Sequence, residues 1–112
     1  MKIKVINSKK LEIKDTQTAL DLMMTAKYED YEAIAINKDA VCEDFFKLSS
    51  GVAGEILQKF VNYGMKLAIF GDYSTYTSKP LEDFICESNK GRQFFFVDNE
   101  EEAKAILTRH IM

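Results

Sequence analysis

Two short apolar runs constrain this chain more than any other feature. Ala33–Asn37 reads A-I-A-I-N and Met65–Phe70 reads M-K-L-A-I-F. A strand with one wet face alternates apolar and polar residues, whereas a nearly continuous apolar run calls for cover on both faces. That is the environment of strands inside a parallel sheet with helices packed against it. The chain therefore reads as α/β, and its remaining segments are fitted around these two strands.

At the start, K-I-K-V-I-N (Lys2 to Asn7) and L-E-I-K (Leu11 to Lys14) alternate on either side of polar N-S-K-K, which predicts an antiparallel hairpin. Asp15 and Thr16 offer capping oxygens to a helix ending near Tyr28, with Ala19, Leu22, Met23 and Ala26 on its apolar stripe. After Asn37 the connection K-D-A-V-C-E-D-F-F-K carries Phe45 and Phe46 inward and leads to a serine turn. The second helix runs from that turn to about Tyr63, with Val52, Ala53, Ile56, Leu57 and Phe60 on one stripe and Gly64 as its stop. A third helix holds Pro80 in its first turn, points Leu81, Phe84, Ile85 and Ser88 inward and stops at Gly91. Gln93 to Asp98 is the last strand. Asn99 and Glu102 have capping-box spacing before a helix whose stripe is Ala103, Ile106, Leu107 and His110. The expected order is β-β-α-β-α-β-α-β-α, a mixed, mostly parallel sheet with an N-terminal hairpin.

A chain of 112 residues suffices for one contiguous core, so one domain over residues 1–112 is expected. The net charge of -3 comes from 15 basic and 18 acidic residues interleaved along the chain, and no basic stripe is present to track nucleic-acid phosphates. No apolar run reaches the roughly 20 residues that span a bilayer, and the N-terminus turns polar before any signal-peptide core develops. The expected location is the cytoplasm. Cys42 and Cys86 are isolated and have no metal-site spacing.

The element order, with a serine turn opening the second helix, resembles the STAS domain of bacterial anti-sigma-factor antagonists and of sulfate-transporter tails. L-S-S-G-V-A-G-E-I-L (Leu48 to Leu57) is similar to the D-S-S-G-L turn of the antagonists, whose first serine is phosphorylated by a partner kinase. By position that serine is Ser49. Leu48 stands where the antagonists carry Asp, which moves the reading from a phosphosite toward a contact surface. The runs G-E-I-L-Q-K-F (Gly54 to Phe60), K-L-A-I-F-G-D-Y-S (Lys66 to Ser74) and F-I-C-E-S-N-K-G-R-Q-F-F-F-V (Phe84 to Val97) also resemble the bacterial domain of unknown function 4180 family. That resemblance implies no activity.

Three constellations can carry function. The first is the Ser49-Ser50-Gly51 turn with Glu55. Its structural role is to cap the second helix, with Gly51 and Gly54 permitting close backbone approach; its functional role is an exposed hydroxyl at a helix start, where an anion or phosphate is tolerated. The second is the loop Asp72, Tyr73, Ser74 and Tyr76, at the C-terminal end of a parallel strand where α/β sheets place ligands. The competing reading is local: Asp and Ser satisfy the loop's own backbone and the tyrosines pack on the sheet rim. The third is a basic rim, Lys90 and Arg92, at a helix end.

Catalytic sets are incomplete, since the one histidine, His110, sits near the C-terminus and Ser49 has no evident acidic relay. The G-V-A-G tetrad lacks the basic neighbours of an RNA clamp, and no P-loop ending is present. The expectation is a non-enzymatic regulatory domain with no cofactor or metal, which binds a protein partner through the Ser49 turn and second helix and is open to homodimerisation. The alternative is a small-ligand or nucleotide module using the Asp72 to Tyr76 loop.

Overall fold

The computed structural model describes residues 3–111; Lys2, at the head of the expected first strand, lies outside the described residues. The elements are β1 (Ile3–Ile6), α1 (Thr16–Tyr28), β2 (Ala33–Asn37), α2 (Val52–Asn62), β3 (Lys66–Phe70), α3 (Lys79–Lys90), β4 (Phe94–Val97) and α4 (Glu100–Ile111). Three short 3-10 turns, Lys38–Ala40, Glu43–Phe46 and Leu48–Ser50, fill the connection between β2 and α2. The four strands form one all-parallel sheet in the order β1-β2-β3-β4.

The sheet divides the interior into two cores. Ile34 and Ile36 of β2, Leu67 and Ile69 of β3 and Phe96 of β4 face the larger one, which α1, α2 and α3 complete with Met23, Ile56, Phe60 and Leu81. Ala33, Ala35, Ala68, Phe70 and Phe95 face the other, closed by Ala103 and Leu107 of α4. Alternation within the two apolar runs thus sends large side chains to one layer and mainly alanines to the other. The small face lets a single helix lie close across the sheet, and α4 packs against all four strands.

The expected N-terminal hairpin is not formed. Alternation would put Leu11 and Ile13 on one face, yet Leu11 is 45% exposed and Ile13 fully buried. Ile13 makes an isolated parallel bridge to Val41, and the N–H groups of Glu12 and Ile13 both donate to the Ala40 carbonyl. A hairpin would leave Ile13 on a short two-stranded ribbon, whereas docking on residues 40–42 places it in the larger core. Burial therefore overrides local alternation, and the sheet contains no antiparallel pair among the described residues.

The helix boundaries follow capping chemistry. At α1 the Asp15 carboxylate accepts the Thr18 N–H at 2.8 Å while the Thr18 hydroxyl accepts the Asp15 N–H at 3.0 Å, a reciprocal box. The α2 helix closes with Gly64 at φ +67, its N–H bonded to Val61 and that of Met65 to Phe60. At the end of α1 Asp30 adopts the same left-handed turn at φ +66, with Asp30 bonded to Lys27 and Tyr31 to Ala26. For α4, the Asn99 side chain accepts the Glu102 N–H at 2.9 Å. No described helix is long and apolar enough to cross a membrane.

Candidate functional site

The two constellations that the sequence kept apart meet at one groove. In a parallel sheet every strand-to-helix loop emerges at the same end, so the Ser49 turn before α2 and the loop after β3 become neighbours. Between them lies an open depression of about 570 Å³, lined by Glu43, Phe46, Leu48, Ser49, Tyr76 and Thr77, with Lys47, Thr75, Ser78, Pro80 and Leu81 completing it. Its floor is apolar and its rim is rich in hydroxyls.

The two serines of the turn have different tasks. Ser50 donates to the Asp44 carbonyl at 2.7 Å and accepts the Val52 N–H at 3.2 Å, fastening the preceding turn to the first residue of α2. Ser49 is exposed, lines the groove, and its hydroxyl bonds to no group among the described residues. Gly51 begins α2 at φ +78, a conformation that a side chain disfavours. The expected close approach at Gly51 and Gly54 is absent, since a Cβ at either would meet nothing within 4 Å. Gly51 is needed for its backbone angle, and Gly54 opens a bare spot on the exposed side of α2.

Glu55 does not face this groove. Its carboxylate accepts the Thr16 hydroxyl at 2.9 Å, tying α2 to α1 beside a shallow depression with Gly54, Gln58 and Lys59. Successive residues of an α-helix stand about 100° apart around its axis, so closeness to the serine turn in sequence does not keep Glu55 on the groove side.

Of the four candidates in the second loop, Asp72, Tyr73, Ser74 and Tyr76, only Tyr76 lines the groove. Its ring stacks on Phe46 with centroids 5.2 Å apart and an interplanar angle of 20°, the Lys38 ammonium lies 4.8 Å from its centre, and its hydroxyl donates to the Glu43 carboxylate at 3.2 Å. Burial raises the Tyr76 phenol pKa, while the nearby Lys38 opposes the rise. Tyr73 is structural: its hydroxyl donates to the Ile69 carbonyl at 2.7 Å and its ring packs against Phe46 and Phe96. Burial pushes its phenol well above the usual range.

Asp72 accepts the Ser74 N–H at 2.9 Å, and that bond is the main reason its carboxyl is held below the ordinary range. It faces a separate depression with Asn7, Asn37 and Lys38. Ser74 lines a smaller hollow with Tyr73, Tyr76, Ile85 and Cys86. The loop's Asp therefore serves its own backbone through the Ser74 N–H, and its tyrosines pack on the rim.

Lys90 and Arg92 stand at the opposite end of the sheet. Lys90 lies 3.6 Å from Glu87 on the surface, and the Arg92 carbonyl accepts from Lys66, the first residue of β3. They form no rim to the groove. His110 is also at that end, beside Lys66 and Met65, with its Nδ1 3.0 Å from the Ile106 carbonyl and its ring against Phe95. Among the described residues no group of three or more His, Cys, Asp or Glu is placed to hold a metal ion.

Sequence reasoning passed over Lys38 and Glu43, which clamp Tyr76 from two sides. The available signal was Gly71. A Cβ there would come within 2.7 Å of the Lys38 Cβ, so the glycine leaves room for the β2–α2 connection to cross the end of β3. Which residue crosses there is set by tertiary packing alone.

No curated protein and no solved structure matches the chain. A family model described as "Domain of unknown function (DUF4180)" matches residues 1–107. The chain belongs to the DUF4180 family.

Proposed function

We propose that this domain is a non-enzymatic, cytoplasmic regulatory module that binds a protein segment in the groove between the Ser49 turn and the Tyr76 loop. The observation that carries the reading is the division of labour in the turn: Ser50 is committed to the fold, while the hydroxyl of Ser49 faces an open groove with no bond of its own among the described residues. An apolar floor of Phe46, Leu48 and Leu81 under a hydroxyl rim suits an extended segment with alternating apolar and polar contacts. The analogy to STAS antagonists in bacteria lies in this turn at a helix start, and regulation by changing the charge at Ser49 follows from it.

The test uses Ser49→Arg and Thr77→Arg to fill the groove, with Ala105→Arg on the exposed face of α4 as control. The groove variants should fold normally and lose a partner captured by the wild type and by the control. Ser49→Asp should alter capture more than Ser49→Ala. Folded groove variants that retain every wild-type partner would refute the proposal.

A small-ligand reading has one observation in its favour: Tyr76 is a wall shared by the groove and the adjacent hollow, and the groove's volume falls in the range of ligand sites. A thermal-shift screen decides it, since a ligand at 100 times its Kd raises stability by about 2.7 kcal/mol.

A further inference from the structure

The two edges of the sheet are treated differently. On β4, Gln93 and Val97 direct their carbonyls to β3, so the backbone of Phe94 and Phe96 points outward. Asn89 of α3 covers the outward groups of Phe96 on both counts, donating to its carbonyl at 3.1 Å and accepting its N–H at 2.7 Å. Farther along, the Asp98 N–H is met by the Glu102 carboxylate at 3.4 Å. Side chains thus stand in for a neighbouring strand at Phe96 and Asp98, the C-terminal half of this edge.

The β1 edge has no such cover. Ile3 to Ile6 pair with Ala33 to Ile36, and Ser8 exchanges hydrogen bonds with the Asn37 side chain, so Lys4, Ile6 and Ser8 direct their backbone to β2. Ile3, Val5 and Asn7 point theirs outward. Among the described residues no group bonds to that outward backbone. Lys4, which could guard the edge, is turned back on its own chain, 2.9 Å from Glu29 and 5.1 Å from the centre of the Tyr31 ring. Val5 remains 37% exposed.

We propose that the β1 edge pairs antiparallel with β1 of a second copy, joining the two sheets into one about a dyad at Val5. In that register Val5 faces Val5, Ile3 faces Asn7 and Lys4 faces Ile6, so no like charges are opposed and about six backbone hydrogen bonds form. Stacking of β1 on β4 of the next copy, the route to an open filament, is blocked by Asn89 and Glu102. The remaining self-pairing is two-fold and closes after two copies. This surface is separate from the groove.

Sedimentation velocity on the full chain tests the proposal. The wild type should show twice the protomer mass at high concentration and dissociate on dilution. Val5→Pro removes an outward N–H and leaves the β1–β2 ladder intact, so the variant should be a folded monomer. Val5→Asp, which sets two carboxylates across the dyad, should also be monomeric and keeps the test valid if the proline variant does not fold. A wild type that remains monomeric at its highest soluble concentration overturns the proposal, as does a folded Val5→Asp dimer of unchanged affinity.

Discussion

Asp30 carries a cost that its neighbour in role avoids. Both Asp30 and Gly64 end a helix in the left-handed conformation with the same pair of backbone bonds, yet only one is glycine. Asp30→Gly should therefore stabilise the protein by about 0.5 kcal/mol, the relief of the left-handed strain less the added freedom of the unfolded glycine, as measured by urea unfolding. Asp15 bears on pH. Its carboxyl is held below the ordinary aspartate value mainly by the Thr18 N–H, so it contributes stability above the unfolded pKa of about 4 and loses it as pH falls through the lower folded value. Asp15→Asn keeps an acceptor but removes the titration, and its stability should fall less steeply than that of the wild type between about pH 5 and pH 2. Both caps are written locally. The Asp15 cap is legible because an Asp just ahead of an apolar helical stripe offers a capping oxygen, whereas the turn at Asp30 is not, because Asp there has no glycine to announce it.

At the scale of the element, α3 does more than cover a core. Asn89 near its end supplies the hydrogen bonds that a further strand would give to Phe96. Asn89→Ala should lower stability by about 1 kcal/mol and, by uncovering the β4 edge, yield species larger than a dimer in light scattering at high concentration. The sequence shows Asn89 only as a residue near a helix stop. Its role appears once α3 has been laid against β4, a relation between segments that periodicity does not encode. The four helices and the three later strands were legible because each has its own apolar stripe or run. The segment Leu11 to Lys14 misled for the same reason: its alternation fits a strand, but the buried place open to Ile13 lay beside Val41, far along the chain.

At the scale of the whole molecule, the sheet's unequal faces set the architecture. Ala35 is fully buried on the face that receives α4. Ala35→Leu should destabilise the fold by about 1 to 3 kcal/mol through overpacking, seen as a lower urea midpoint with an unchanged slope, because α4 must move off the whole sheet to admit it. The groove is likewise a property of the whole: Ser49 and Tyr76 are distant in sequence and meet because both loops leave parallel strands at one end. Glu55, Lys90 and Arg92 are polar and exposed by the same reading, yet packing turns the first toward α1 and puts the others at the far end of the sheet. The sequence by itself determined the four helices and the four strands of the sheet, since apolar periodicity and caps act within a few residues. Only the tertiary structure decided that the N-terminal hairpin is absent, that the sheet is wholly parallel, and that the serine turn and tyrosine loop share one groove. Those outcomes depend on which distant surfaces bury the most area together, and that competition is settled between segments and not within them.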